Sequence, residues 1–444
     1  MPKRLLIVTY HHPPDGSVGG LRWAALSKYL VRAGWSVELI AGAPGVRAGI
    51  VNGVAVRVVR RLPTLNDAYR AVARLSRGGR GAGGSGPSRG AERPAGFWRR
   101  LRWEAASLLA FPDESRGWTL RAAWAVRRAV KRFRPDVVIA SGPPHTAHVA
   151  AALGLLGRPV PLVLDFRDPW SLREDAWRFD PVYGTEGARF LIRHLEAWVM
   201  KRSNVVIANT RELADLTRAR YPDAAVTWLR NGLDLEDVPP GRLAPFPGLS
   251  LCHVGTLYGN RDVRPVLAAF RAFLDRHPDA AAAGSRLRIA GAISPRRRDA
   301  LLAQIEVAGL VGAVEVLGIL PRPEALRLVR RSSLSLVLAQ DQGLGVPAKL
   351  YESLAAGGGV TLVLTEPGSA NAREAAELGA RVCEASDTAG ITALLERIWR
   401  DVEPPPAAPV DQFSYERLAE RLADLLDPRP APVRRPRRLA GVSA

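Results

Sequence analysis

Residues 5–20 read LLIVTYHHPPDGSVGG. The apolar run Leu5–Tyr10 has the length of a strand, and the prolines and glycines after it end that strand. A helical pattern over Leu21–Ala33 follows. A buried strand, a glycine turn and a helix in succession predict one unit of a parallel α/β sheet. Gly19 and Gly20 do not form a GxGxxG motif, which disfavours a dinucleotide site.

The alternation of strand and helix continues along the whole chain. Further strands are predicted in the first half at Val37–Gly42, Val54–Arg60, Val137–Ser141, Leu162–Phe166, Val205–Asn209 and Val226–Leu229. The pattern restarts in the second half at Leu251–Thr256, Leu287–Ala292, Val314–Leu317, Leu334–Ala339, Val360–Thr365 and Arg381–Glu384. Continuous Val/Ile/Leu strands between helices indicate parallel sheets covered on both faces, so we predict two Rossmann-like domains facing across a cleft.

Composition shifts set the predicted domain boundaries. Residues 1–232 form the first domain, with a flexible glycine-rich insertion at 77–96. The proline-rich stretch 233–249 is a linker, and residues 250–410 form the second domain. A final amphipathic helix lies within 411–427, and the Pro/Arg-rich residues 428–444 are predicted to be disordered.

The charge balance narrows the class of partner. The 444 residues include 63 Lys and Arg against 43 Asp and Glu, a net charge of +20. Such an excess favours anionic partners, namely nucleotides, lipid headgroups or nucleic acid. The alternative is that the arginine-rich composition reflects a GC-rich genome. Cys252 and Cys383 both lie in apolar runs and are expected to be buried thiols. No apolar run is long enough to span a membrane.

Polar residues follow several predicted strands of the first half. His145 belongs to the stretch Ser-Gly-Pro-Pro-His, and Asp168 to Asp-Phe-Arg-Asp-Pro-Trp. Because parallel strands end at one edge of their sheet, these side chains and the glycines Gly19 and Gly20 are expected to converge. A structural role for His145 was the alternative, and its position in a strand-end cluster favours a functional one.

Two stretches of the second half carry candidate phosphate-binding groups. Gly255, Thr256 and Arg261 follow the first strand of that half. Lys349 and Glu352 stand three residues apart after a glycine-rich loop and therefore share a helical face. A lysine can bind a diphosphate and a carboxylate can accept both hydroxyls of a ribose. An exposed ion pair without a binding role is the alternative.

Residues 97–109 combine Phe, Trp, Leu and Arg at helical spacing, as an interfacial helix does. With the five arginines of the tail, they predict reversible binding to an anionic membrane surface. A core helix whose arginines reach solvent is the alternative.

Taken in order, these motifs resemble the family 4 glycosyltransferases with the GT-B fold, particularly the bacterial branch that builds surface polysaccharides. The matching motifs are Gly19-Gly20, Ser141–His145, Asp165–Trp170, Ile207–Thr210, Asn231–Asp234, Val254–Leu257 and Pro347–Glu352, spread over residues 5–427.

The resemblance implies retaining transfer of a hexosyl or N-acetylhexosaminyl group from a nucleotide-sugar, without a metal or cofactor, to a lipid-linked or glycan acceptor. It assigns the acceptor to the first domain and the donor to the second, and returns the final helix to the first. Glu352 matches the ribose-binding glutamate. Catalytic roles are expected for His145, Asp168, Arg261 and Lys349, and donor contacts for Gly19, Gly20, Gly255, Thr256, Arg261, Lys349, Leu350 and Glu352.

The chain departs from the family pattern in three places. Leu344 replaces a second glutamate that usually reads the sugar, Thr256 and Leu257 replace a basic residue, and Gly358-Gly359 replaces a proline before a strand. The last change is expected to loosen that turn.

Other functions stay open at this point. A nucleotide-sugar epimerase or a phosphorylase could use the same fold, and the missing glutamate allows a non-catalytic relative. Nucleic-acid binding is disfavoured because aromatic-rich RNA motifs, zinc spacings and helix-turn-helix patterns are absent from the sequence. The expected location is the cytoplasm, peripheral on the inner face of the cell membrane.

Overall fold

A computed structural model describes residues 2–65, 67, 104–105, 107–108, 110–172, 185–241, 243–259, 261–340, 342–403 and 408–427. The predicted insertion 77–96, most of the interfacial stretch 97–109 and the basic tail 428–444 lie outside these residues. The described chain divides into two compact units. One comprises residues up to Leu229 together with those from Ala419 onward, and the other comprises Arg230–Leu418.

The first unit contains an eight-stranded sheet with helices along its connections. Its elements are β1 (Arg4–Thr9), α1 (Val18–Arg32), β2 (Ser36–Ala41), β3 (Gly49–Val51), β4 (Val54–Val58), α2 (Thr119–Phe133), β5 (Val137–Gly142), α3 (Thr146–Gly154), β6 (Leu162–Phe166), α4 (Glu186–Met200), β7 (Val205–Ala208), α5 (Arg211–Arg220) and β8 (Val226–Trp228). The strand order is β3-β4-β2-β1-β5-β6-β7-β8. Every pairing is parallel except that of β3 with β4.

The second unit contains a six-stranded parallel sheet in the order β11-β10-β9-β12-β13-β14. Its elements are β9 (Ser250–Val254), α6 (Arg264–Arg276), α7 (Pro278–Ala282), β10 (Arg286–Ala290), α8 (Pro295–Val307), β11 (Val314–Gly318), α9 (Arg322–Arg331), β12 (Leu334–Leu338), α10 (Ala348–Ala356), β13 (Val360–Leu364), α11 (Ala370–Glu377), β14 (Arg381–Cys383) and α12 (Thr388–Trp399). The last described helix, α13 (Tyr415–Leu425), begins in this unit, and its residues from Ala419 belong to the first.

Burial explains why these stretches form central strands. Leu5, Leu6 and Ile7 of β1 are fully buried, as are Leu251 and Cys252 of β9. A strand that is apolar on both faces is stable only when helices cover both sides of its sheet. The predicted class, two parallel α/β domains, is therefore confirmed.

Each sheet reverses its strand order at one point. In the first, β1 pairs with β2 on one side and with β5 on the other. In the second, β9 lies between β10 and β12. Ligands of open α/β sheets bind outside the carboxyl ends of the strands at such a point. A ligand is therefore expected at the loops after β1, β5, β9 and β12.

The turn before β13 differs from the expectation that its glycines would loosen it. A Cβ atom on Gly359 would lie 2.0 Å from the carbonyl oxygen of Ser333, and one on Gly358 would lie 2.5 Å from that of Arg330. The absence of side chains lets two backbone segments pack together. This turn is close-packed rather than loose.

Candidate functional site

Helix α10 of the second unit begins directly after the glycine-rich loop that follows β12. Pro347 occupies its N-cap position and supplies no side-chain acceptor to the first turn. The first backbone N–H groups of a helix have no partner within the helix, and the helix dipole makes this end attractive to anions. The start of α10 can therefore receive a phosphate group.

The side chain of Glu352 lies one turn into α10 and is the centre of a charged network. It is 7% exposed. Lys349 donates to its Oε2 at 2.5 Å and Arg322 donates to its Oε1 at 2.5 Å. Burial acts to raise the pKa of Glu352, but the positive charges of Lys349 and Arg322 together with their hydrogen bonds lower it below its ordinary value. The carboxylate is thus held ionised in a largely buried position.

Arg322 links this carboxylate to another part of the unit. It is the first residue of α9, and its Nε donates to Oδ2 of Asp237 at 3.0 Å. Burial acts to lower the pKa of Arg322, whereas Glu352 and Asp237 raise it. Neither Arg322 nor Asp237 is identified by the sequence analysis. No local pattern reveals them, because 30 and 85 residues respectively separate the bonded partners.

Two further candidates, Gly255 and Arg261, lie at the carboxyl end of β9. Gly255 is buried, and a Cβ on it would lie 3.3 Å from the imidazole of His253. Arg261 donates to the backbone oxygen of Thr256 at 2.9 Å, and its guanidinium lies 4.3 Å from the ring centroid of Tyr258. The loop after β9 therefore curls back, so that the side chain of Arg261 contacts the first residues of the same loop. Thr256 is exposed and contributes its backbone oxygen.

The positive charges of Arg261 and Lys349 both act on the side chain of His253. Its imidazole is 3% exposed, with Nδ1 3.0 Å from the carbonyl oxygen of Leu336. Burial, together with the charges of Arg261 and Lys349, lowers the pKa of His253 to about 4, although its hydrogen bond to the backbone of Leu336 acts in the opposite direction. Both cations therefore act on the same point between β9 and β12. The structure brings Gly255, Arg261, Lys349 and Glu352 to one end of the second sheet.

Leu350 takes no part in this polar group through its side chain. It is 1% exposed and packs in the hydrophobic core with Val337, Val346 and Leu354. Leu344, at the position where the family usually has a second glutamate, lies in the turn before α10 and is half-buried.

The carboxyl ends of β5 and β6 in the first unit hold a second polar network, centred on Asp165. Its carboxylate accepts from Trp23 at 2.9 Å, from Ser141 at 2.7 Å and from Arg22 at 3.2 Å. Asp165 and Arg22 are completely buried. Asp168, the residue predicted from the sequence, lies three residues later and is half-buried. The network holds the carboxyl end of β6 in place, and Asp168 lies in the loop directly after this strand.

Arg167 lies against the glycines at the start of α1. It donates through Nε to Ser141 at 3.2 Å and also donates to the carbonyl oxygen of Pro143. A Cβ on Gly19 would lie 2.0 Å from Nη1 of Arg167. Gly20 donates its N–H to the capping Ser17, and a Cβ on Gly20 would meet that hydroxyl at 2.9 Å. The absence of a side chain at Gly19 therefore leaves space for the guanidinium of Arg167. Arg167 is a site residue that is not predicted from the sequence.

His145 stacks on Trp170 at the same edge of the sheet. The ring centroids are 4.7 Å apart and the planes are 7° from parallel. The Nδ1 atoms of His145 and His148 are 3.4 Å apart, and burial lowers the pKa of His148 to about 4. His148 is therefore neutral at physiological pH. His145, Arg167 and Gly19 thus lie around the carboxyl ends of β1, β5 and β6, a placement that the sequence predicts for His145 and Gly19 but not for Arg167.

No group of three or more His, Cys, Asp or Glu side chains in the described ranges is arranged to hold a metal ion. Within the same ranges, no helix is long and apolar enough to cross a membrane.

Comparisons with known proteins bear on the fold of the chain. No curated protein sequence is significantly similar to the chain. Solved structures that are similar in fold include sucrose-phosphate synthase from Thermosynechococcus elongatus, at 12% identity and a TM-score of 0.59, covering 95% of this chain and 98% of that one. The UDP-forming α,α-trehalose-phosphate synthase from Burkholderia vietnamiensis has 15% identity, a TM-score of 0.57, and coverage of 95% and 96%. Anabaena HepE, solved in complex with UDP and glucose, has 14% identity, a TM-score of 0.57, and coverage of 96% and 99%.

The sequence itself matches one family. Residues 84–237 match the profile described as Glycosyltransferase Family 4. The solved structures, at 12–15% identity, are similar in fold over 95–96% of the chain. The resemblance that the motifs suggested is thereby confirmed. The match places residues 84–237 in glycosyltransferase family 4, on a chain that has the GT-B fold of glycosyltransferases.

Proposed function

We propose that the chain is a retaining glycosyltransferase that moves a hexosyl or N-acetylhexosaminyl group from a nucleotide-sugar to a lipid-linked or glycan acceptor. The second unit binds the donor and the first unit binds the acceptor. The reaction belongs to the synthesis of a cell-surface polysaccharide or glycolipid at the cytoplasmic face of the membrane. The match of residues 84–237 to glycosyltransferase family 4 and the UDP-bound structure of the similar HepE support a nucleotide-sugar as the donor.

The observation that carries this proposal is the carboxylate of Glu352, ionised and 7% exposed between Lys349 and Arg322 at the start of α10. An ionised carboxylate in a fixed position can accept hydrogen bonds from both hydroxyls of a ribose. The amides at the start of the same helix are one turn away and suit the diphosphate. One helix therefore offers a partner for the ribose and a partner for the diphosphate of a nucleoside diphosphate.

The positive charges near β9 and β12 suit the chemistry of transfer. The bond between C1 of the sugar and the diphosphate oxygen breaks, a bond from C1 to an acceptor hydroxyl forms, and the hydroxyl proton passes to the departing diphosphate. Lys349 and Arg261 would stabilise the charge that develops on the diphosphate. This role would let transfer proceed without a metal ion or cofactor, which is part of the proposal.

The polar edge of the first unit is the proposed acceptor side. His145, stacked on Trp170, would lie beside the transferred sugar, and Asp168 follows the anchored end of β6. Gly19 and Gly20 would allow a phosphate to approach the start of α1, where Arg167 adds a buried positive charge.

The test is direct binding of nucleoside diphosphates. UDP, GDP, ADP and dTDP are titrated calorimetrically into the full chain and into E352Q and K349A. One nucleotide should bind, and each variant should bind it about 10- to 150-fold more weakly, because a charge-assisted contact contributes about 1.5–3 kcal/mol. R271A is the matched control, because it removes an exposed ion pair with Asp275 elsewhere in the same unit. Unchanged binding by both E352Q and K349A would refute this donor site.

An epimerase on the same fold is the second candidate. The two activities differ in what happens to the donor when no acceptor is supplied. An epimerase converts the nucleotide-sugar to an isomer, whereas a transferase leaves it largely intact until an acceptor is added. Chromatography of the nucleotide-sugar pool before and after addition of membrane lipid extract separates them.

A further inference from the structure

One face of helix α2 exposes apolar and basic side chains together. Ala122, Val126, Ala129 and Val130 point toward the protein interior and are buried. On the opposite side, Leu120 is 74% exposed and Trp124 is 60% exposed. These two residues are four apart and therefore neighbours on the helix surface. Single exposed apolar residues are common, but a leucine and a tryptophan side by side form a small apolar surface.

Cations surround this apolar pair. The helix sequence TLRAAWAVRRAVKRF contains no Asp or Glu, and the side chains of Arg121, Arg127, Arg128 and Lys131 are exposed. Arg121 donates to the backbone oxygen of Arg60 and Arg127 to that of Leu156. Backbone oxygens hold these arginines in place without cancelling their charge. Arg132, by contrast, is paired with Glu38.

Two further contacts add to this surface, one with a cation and one with an apolar side chain. The guanidinium of Arg128 lies 4.4 Å from the ring centroid of Trp124, so a cation and an aromatic ring project together. Leu156, whose carbonyl oxygen accepts from Arg127, is itself 43% exposed. From Leu120 to Lys131 the exposed row spans about 16 Å along the helix axis. We call Leu120, Arg121, Trp124, Arg127, Arg128 and Lys131 the Trp124 face.

We propose that the Trp124 face is a docking surface for an anionic lipid bilayer. Tryptophan is favoured at the headgroup level of a membrane, where its ring is partly buried and its N–H stays in contact with water. Leucine adds apolar burial, and the surrounding cations bind the phosphates of anionic lipids. The apolar pair favours lipid over nucleic acid, because a phosphate backbone attracts the cations but leaves Leu120 and Trp124 in water.

This inference is independent of the proposed donor site. The Trp124 face lies in the first unit, whereas Glu352 and Lys349 lie in the second. It also rests on described residues, unlike the prediction for residues 97–109. Lipid binding and nucleotide binding can therefore succeed or fail separately.

The test is co-sedimentation of the full chain with vesicles. Vesicles of phosphatidylcholine alone are compared with vesicles that also contain phosphatidylglycerol, each at low and high salt. The unaltered chain should bind the anionic vesicles at low salt and be released at high salt. The variant L120A/W124A should reduce this binding at low salt, the condition in which the unaltered chain is bound. The variant R127Q/R128Q/K131Q should reduce it about fivefold for each cation removed, mainly at low salt.

A matched control variant is R298Q/V307A on α8, which removes one exposed cation and one exposed apolar side chain in the second unit. It should bind vesicles as the unaltered chain does. Because Leu120 and Trp124 are exposed, their replacement should leave the melting temperature and nucleotide binding unchanged, which checks that the variants fold.

Three results would overturn the proposal. The first is equal binding of L120A/W124A and the unaltered chain to anionic vesicles. The second is an equal loss of binding in the α8 control. The third is loss of binding to a duplex oligonucleotide in the Trp124-face variants while their vesicle binding stays normal, which would assign the surface to nucleic acid.

Discussion

Nη1 of Arg322 donates to Oε1 of Glu352 at 2.5 Å and so joins the first residue of α9 to α10. The same guanidinium bonds Asp237 through Nε. The ionised state and the direction of Glu352 therefore depend on a residue 30 positions earlier in the chain. A ligand that uses Glu352 is positioned by Arg322 as well.

The first prediction concerns Arg322→Met. This change leaves Lys349 as the remaining cation on Glu352 and removes the partner of Asp237. Stability should fall by about 2 kcal/mol, because two charged hydrogen bonds are lost at partly buried groups. Affinity for the bound nucleotide should fall about tenfold. Thermal unfolding and calorimetry measure the two effects.

The matched control is Arg327→Met, at an exposed position of the same helix. It should change neither quantity. If R322M binds the nucleotide with unchanged affinity, Glu352 does not need Arg322 to hold its position, and the account of this network is wrong.

The second prediction tests the close approach of Gly19 and Arg167. A methyl group on Gly19 would lie 2.0 Å from the guanidinium, which is held by Ser141 and Pro143. Gly19→Ala should therefore destabilise the first unit by about 1–3 kcal/mol, the usual cost of overpacking a filled site. In the background of Arg167→Ala, which vacates the space, the same change should cost much less.

Denaturant unfolding of the single and double variants measures this coupling. Gly187→Ala is the control, because a Cβ at this exposed position of α4 would lie 3.7 Å from the carboxylate of Glu104. It should be neutral or slightly stabilising, since alanine is a better helix former than glycine. Additive effects of G19A and R167A would show that the two residues do not compete for space.

The third prediction is a pH dependence that arises from Glu196. Its carboxylate accepts from the backbone N–H of Ser171 at 2.9 Å, and burial raises its pKa to about 7. The folded state therefore holds this proton more tightly than the unfolded state. The stabilisation is complete below pH 4.5, the ordinary value, and is lost as the pH rises toward 7.

Glu196→Gln keeps the acceptor oxygen but removes the titration. The free energy of unfolding of E196Q relative to the unaltered protein should rise between pH 5 and pH 8, by up to about 3 kcal/mol. Urea unfolding at several pH values measures it. A difference that stays constant over this range would contradict the assignment to Glu196.

The fourth prediction concerns chelation. Because Lys349 and Arg261 are proposed to stabilise the departing diphosphate, EDTA should leave sugar transfer largely intact. Release of the nucleoside diphosphate in the presence of acceptor is the measurement, and EDTA saturated with calcium controls for the chelator itself. Complete loss of transfer that magnesium or manganese restores would count against metal-independent transfer.

Local patterns predicted the features that depend on neighbouring residues. The strand and helix boundaries follow from apolar runs and glycine turns, and Lys349 with Glu352 could be paired because three residues separate them on one helix. The short edge strand β3 was missed, because Gly49–Val51 is exposed and carries no burial pattern. The Asn52-Gly53 turn that joins it to β4 was the available signal.

The rest of the site depends on contacts between distant segments. Asp237, Arg322 and Glu352 are in contact because β9 to β12 fold into one sheet. Their spacing in the sequence does not predict this contact. The strand-end motif predicts Asp168 as a site residue, whereas the buried network is centred on Asp165. Its role is visible only when Arg22, Trp23 and Ser141 are brought to it.

The first unit is assembled from both ends of the chain. Leu422 is fully buried in α13, Arg421 lies over the ring of Trp228, and Asp427 pairs with Lys3. On a ribosome, residues 230–418 must be made before this last piece emerges, a delay of roughly 10–40 s at ordinary rates of synthesis. The unit that is translated first is therefore completed last. A chain cut short before Ala419 would lack the buried side chains of this helix and would leave an uncovered apolar surface on the first unit.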